Sequence, residues 1–98
     1  MTRLFAVIRA RGPAWNNGQA LEGQVDWPAH ARFMDGLVDT GLIALGGPLE
    51  GTRDVLLIFR AGSETEITEC LATDPWSKIG LLVIKQIHPW QIRLGSLD

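Results

Sequence analysis

Asp26-Trp27-Pro28-Ala29-His30-Ala31-Arg32-Phe33-Met34-Asp35-Gly36-Leu37-Val38-Asp39-Thr40-Gly41 reads as one amphipathic helix with both ends marked. Asp26 suits the N-cap, where a side-chain oxygen accepts from the first free N–H groups. Pro28 fits the first turn, which needs no N–H there. Gly41 suits the left-handed stop. At about 100° per residue, Trp27, His30, Phe33, Met34, Leu37 and Val38 share one face. Pro28, Arg32, Asp35, Gly36 and Asp39 share the other. An imidazole in the middle of an apolar face needs a polar partner or an open cavity. His30 is therefore the residue from which function is argued.

The bulk composition sets the limits. The chain has 98 residues, 46% hydrophobic and 20% charged, with a net charge of -2. That is one folded domain over residues 1–98 with one core. No basic run offers a phosphate track, so nucleic acid is not an expected partner. Cys70 is the single cysteine, which excludes an internal disulfide and a thiolate metal cluster. Two histidines without a spaced carboxylate cluster argue against a metal site, and no phosphate-loop, zinc-hydrolase or nucleophile-elbow motif is present. No cofactor is expected. The apolar runs are too short to cross a bilayer, and Arg3, Arg9 and Arg11 interrupt the apolar start, so the expected location is cytoplasmic.

Outward from the helix, Leu4 to Ala10 is a short apolar run that suits a central strand. Residues 12–25 carry three glycines, Pro13 and the pair Asn16-Asn17. They read as a long loop, with Trp15 and Leu21 as anchors folding it back over a cavity. Leu42 to Leu49 is a strand interrupted by Gly46-Gly47-Pro48, which suggests a bulge or a close backbone approach. Val55 to Arg60 completes a hairpin with it. Ser63 and Glu66 have capping-box spacing. Ile67, Cys70 and Leu71 form the buried stripe of a short second helix ended by Pro75. Asp74 suits the cap of one further turn, with Pro75 at its first position. Leu81 to Ile87 reads as a second central strand. After the bend at His88-Pro89, the alternation of Trp90, Ile92 and Leu94 suggests one more strand.

The order strand, helix, strand, strand, helix, strand is the ferredoxin-like α+β plan, with both helices on one face of an antiparallel sheet. The expected subunit is βαββαβ with an extra C-terminal strand. Its uncovered apolar face predicts a homodimer packed sheet to sheet as a dimeric α+β barrel.

His30 and Asp74 form the candidate catalytic pair. Each lies on the inward side of its helix or just past its end. Within hydrogen-bond reach, Asp74 would fix the tautomer of His30 and strengthen it as a proton acceptor, giving acid–base chemistry without nucleophile or metal. The bland reading leaves His30 on a backbone carbonyl and Asp74 as a cap. Arg9, Trp15, Gly46, Gly47, Trp76 and Ser77 are weaker candidates for substrate contact. For each, a structural role is a full alternative: ion pair, core anchor or turn.

Trp27-Pro28-Ala29-His30 with Phe33-Met34, Gly41 through Leu49, Asp74-Pro75-Trp76 and Pro89-Trp90-Gln91-Ile92 together resemble the YCII-related family over nearly the whole chain. The resemblance implies a ferredoxin-like subunit in a dimeric α+β barrel, similar in fold to muconolactone isomerases. It implies an active-site cleft lined by the helix histidine, here His30, and the Asp-Pro aspartate, here Asp74. The family includes a dehydrochlorinase of a chlorinated hydroxyhydroquinone. The expected function is a cofactor-independent lyase or isomerase acting on a small aromatic or enol-type molecule. A non-catalytic small-molecule-binding dimer and a structural or regulatory dimer stay open as alternatives.

Overall fold

The computed structural model describes residues 2–97. Four strands, β1 (Arg3–Arg11), β2 (Ile43–Pro48), β3 (Asp54–Ala61) and β4 (Leu82–Pro89), form one sheet in the order β2-β3-β1-β4. Every pairing is antiparallel. Helices α1 (Trp27–Asp39), α2 (Glu64–Leu71) and the single turn α3 (Pro75–Lys78) complete the ferredoxin-like order.

β1 is central because both its faces are apolar and both its edges are paired. Phe5 and Val7 point to the helices and are buried with Leu57, Phe59, Leu37, Ile67 and Leu71. A second cluster of Trp15, Trp76, Leu81 and Leu82, with Leu21 and Trp27 against it, lies at the other end of the domain. Chain adjacency places the join between them. β1 passes from Val7 to Arg9 there, and the α2–α3 corner passes from Leu71 through Asp74 to Trp76.

The sheet does not close. It is an open four-stranded sheet with β2 and β4 as its edges, which corrects the expected barrel. The extra C-terminal strand is also absent: Trp90 to Leu97 carries no strand. The reason is where the pairing with the neighbour ends. Phe5 pairs with Pro89, and Trp90 N–H donates to Leu4 O at 2.8 Å. β1 begins at Arg3, and its pairing with β4 stops at Phe5 and Pro89. The alternation there was not a strand signal, and Leu94 is 92% exposed. β4 is likewise an edge rather than a central strand. Leu82 is buried, but Val83 and Ile84 are exposed.

Local signals divide in the same way. Ser63 Oγ accepts from Glu66 N–H and Glu66 accepts from Gly62 N–H, a capping arrangement displaced by one residue from the expected box. Asp26 does not cap with its side chain. It sits in the left-handed region at φ 59, and its carbonyl accepts from His30 N–H at 3.0 Å. Aspartate is one of the few residues that tolerate that conformation. Val38, placed on the apolar face by periodicity, is exposed. The bulge between β2 and β3 falls between Ile43 and Leu45 rather than at the glycines. Gly46 nevertheless marks a close approach, since a Cβ there would lie 2.6 Å from Leu57 Cδ2.

The 12–25 loop is ordered by a residue that composition gives no reason to select. Gln24 is buried, accepts from Asn16 N–H, and donates Nε2 to Asn16 O and Gln19 O. The loop contains one 3-10 turn, Leu21–Gly23. Its first residues are pinned by Gly12 N–H to Leu81 O and Ala14 N–H to Gly80 O.

Candidate active site

A cavity of about 410 Å³ opens between α1, the β2–β3 hairpin and the 12–25 loop. Its walls are mainly apolar, with Trp15, Trp27, Trp76, Met34, Leu57 and Val55 among them. His30 reaches this cavity from the first turn of α1. Its Nδ1 lies 2.9 Å from Asp74 Oδ1 and 3.0 Å from Oδ2. The His30 ring stacks on Trp76 with centroids 3.8 Å apart and planes 6° apart. One nitrogen and one ring face are thus fixed.

Asp74 is fully buried and stands behind His30 rather than on the cavity lining. It caps α3, with Oδ1 accepting from Trp76 N–H at 3.0 Å, the role its place before Pro75 predicts. Its Oδ2 accepts from Arg9 Nη1 at 2.8 Å. Burial pushes the Asp74 carboxyl up. Hydrogen bonds from His30, Trp76 and Arg9, with the charge of Arg9, outweigh burial and hold it below the ordinary carboxylate range. Asp74 is therefore the anionic acceptor, and His30 Nδ1–H is the donor. Nε2 is left as the bare nitrogen of the neutral ring. Among the described residues, Arg9 Nε is the buried side-chain polar atom without a partner. Among those residues Nε2 has no hydrogen-bond partner and is not a buried atom, and His30 borders the cavity, so Nε2 is open to it.

Arg9 is the residue whose role the sequence understated. Placed with the substrate contacts, it borders the cavity but is fully buried, with Nη1 on Asp74 and Nη2 2.7 Å from Ser77 Oγ. Ser77 is spent on that bond and does not line the cavity. Inward-facing Arg9 on a central strand beside Val7 was the available signal, because a buried guanidinium requires an acid. Trp15, Trp76, Gly46 and Gly47 all border the cavity. Trp76 also donates Nε1–H to Val25 O at 2.6 Å, which ties the loop end to α3. Trp15 meets Trp76 edge-on at 5.8 Å.

His88 is exposed on β4. Cys70 packs half-buried against the core; burial pushes its thiol up, and the Glu66 carboxylate adds to the effect. Among the described residues, no group of three His, Cys, Asp or Glu side chains is gathered to hold a metal ion. No described helix is long and apolar enough to cross a membrane.

This fold, with an imidazole and a buried carboxylate meeting at a small-molecule cavity, is that of the YCII-like proteins. The solved structure of 5-chloro-2-hydroxyhydroquinone dehydrochlorinase from Burkholderia phenoliruptrix AC1100, in complex with 2,5-dihydroxybenzoquinone, is similar with a TM-score of 0.67 and 26% identity. That similarity covers 90% of this chain and 93% of the dehydrochlorinase. The chain belongs to the same family as the derivative of benzaldehyde biosynthesis cluster protein C of Emericella nidulans. The two are 30% identical over 81 residues, covering 70% of this chain and 83% of that protein. No family model matches the chain.

Proposed function

We propose that the protein is a cofactor-independent lyase or isomerase acting on a small planar molecule of aromatic or enol type, with His30 as the proton-transferring group. The observation that carries this reading is the His30–Asp74 contact, which leaves Nε2 open to an apolar-walled cavity. Nε2 takes a proton from an activated C–H or O–H of the ligand. Nδ1–H stays on Asp74, which holds the ring in that tautomer and accepts the stronger hydrogen bond from the imidazolium. Return of the proton to a different atom gives an isomerisation; expulsion of a leaving group by the freed electron pair gives an elimination. Arg9 keeps Asp74 ionised. Trp76, fully buried, backs one face of the imidazole and holds the ring's plane. The dehydrochlorinase, whose structure holds a dihydroxybenzoquinone, supports both the ligand class and the reaction class.

The test is proton exchange. The protein is incubated in D2O with a panel of hydroxyquinones, phenols and keto acids, and ring or α-carbon exchange is followed by NMR. Wild type accelerates exchange of at least one member, and His30→Gln loses about 10²-fold or more of that acceleration while remaining folded. Exchange that is unaffected by His30→Gln overturns the reading.

The same reading includes self-association of two copies. Leu45 and Val83, which share a face with Ile58 and Ala10 away from the helices, are 51% and 41% exposed. Sedimentation giving twice the chain mass supports it; a monomer at micromolar concentration contradicts it.

A further inference from the structure

Two guanidinium groups on the cavity lining have no acidic partner among the described residues. Arg11 ends β1 and Arg53 precedes β3, and both border the cavity. Among the described residues, the ion pairs use Arg9, His30 and Lys85 as their cations. Two carboxylates share the lining. Asp54 is taken by Lys85 at 3.1 Å. Asp35 is within ion-pair distance of neither arginine.

Both arginines are nonetheless held in place. The Arg11 guanidinium lies 4.6 Å from the centre of the Trp15 ring. Arg53 donates Nη1–H to Asn17 Oδ1 at 3.3 Å. Arg11 N–H donates to Arg53 O at 3.0 Å, so the two backbones are tied. Trp15 and Asn17 both come from the 12–25 loop that Gln24 fastens, which gives that long loop a purpose. Stacking also leaves the N–H edges of Arg11 unspent. From Arg11 the aromatic series runs through Trp15 and Trp76 to His30. Unneutralised cations and the imidazole thus border one apolar-walled space.

A guanidinium recognises a planar anion through paired, parallel N–H···O bonds, which fix orientation as well as charge. We propose that Arg11 and Arg53 form a carboxylate-receiving rim and that the ligand is a planar ring or enol bearing a carboxylate, its reactive part lying toward His30. This rests on the reading of the cavity as a substrate site and narrows it to an acid.

Binding is measured by quenching of tryptophan fluorescence, using 2,5-dihydroxybenzoate and the neutral hydroquinone that lacks its carboxylate. Wild type binds the acid at least about tenfold tighter at low salt, the scale of one charge-assisted hydrogen bond. Both arginines are exposed, so the preference shrinks as salt is raised. In the double variant Arg11→Met, Arg53→Met the two ligands bind within about twofold of each other. Arg53→Met alone, which gives up one exposed hydrogen bond, loses part of the preference and serves if the double variant misfolds. His30→Gln keeps the preference. Equal binding of the two ligands by wild type, no binding of the acid, or a preference that survives removal of the arginines overturns the proposal. Failure of the proton-transfer reading shows separately, as exchange activity retained by His30→Gln.

Discussion

Asp74→Asn changes shape little and chemistry a great deal. The carboxylate accepts from Trp76 N–H, from His30 Nδ1–H and from Arg9 Nη1–H, all at 2.8 to 3.0 Å and all buried. An amide offers one acceptor and one donor in their place. With its NH2 toward Arg9, two donors face each other and the fully buried guanidinium loses its counter-charge. With its NH2 toward Trp76, the cap of α3 is lost as well. Removing one partner of a buried ion pair costs about 3–5 kcal/mol, and loss of the cap adds about 0.5–2 kcal/mol. Domains of this size hold only about 5–15 kcal/mol in total. The melting temperature should fall by about 12 °C or more. The amide keeps an oxygen within 3.0 Å of Nδ1 but carries no charge to stabilise the imidazolium, so proton exchange falls by about 10²-fold or more. Calorimetry and equilibrium denaturation at neutral pH measure the first effect, and the D2O assay the second. A variant within about 0.5 kcal/mol of wild type, with exchange intact, would refute the reasoning.

Acid provides a second test of the same carboxyl. Its folded pKa lies below its unfolded one, so its stabilising contribution is fully present above about pH 4 and is lost as pH falls through the lower folded value. Denaturation midpoints should drop below pH 4 in wild type, with a smaller drop in Asp74→Asn. Arg9→Met keeps the stem but removes the counter-charge. Its cost should be smaller than that of Asp74→Asn, because the orphaned Arg9 Nε and its penalty of about 1–3 kcal/mol disappear too. Its acid-dependent loss of stability should be smaller than in wild type, because without Arg9 the folded carboxyl titrates closer to its unfolded value, read from the same titrations. Gly46→Ala should cost about 1–3 kcal/mol by overpacking against Leu57. Gly47→Ala, where nothing lies within 4 Å of a Cβ, should stay within about 0.5 kcal/mol by urea denaturation.

The parts of this molecule that were legible in the sequence are those decided locally. The helix of 27–39, the hairpin of β2 and β3, the Ser63 cap and the Asp74-Pro75 cap each follow from residues a few positions apart. The meeting of His30 and Asp74 follows one step further, because two helices packed on one sheet face bring their inward residues together. What escaped depends on distant partners. Arg9 reads as a substrate contact, and its buried bonds to Asp74 and Ser77 show only once those residues are placed against it. Gln24 has no signature, because its three partners are backbone groups fixed by the loop it organises. The supposed last strand failed because the pairing of β1 with β4 stops at Pro89 and no neighbour continues it. A strand's existence depends on its neighbour as much as on its own alternation. β4 misled similarly: its branched residues signal strand, but which edge is covered is a property of the sheet order.

The central claim is that His30 presents a bare Nε2 to the cavity while Nδ1 keeps its proton on Asp74. Long-range 15N–1H NMR on histidine-labelled protein reads this directly. Neutral His30 should show a protonated Nδ1 and an unprotonated Nε2. A wild-type His30 carrying its single proton on Nε2 would contradict it.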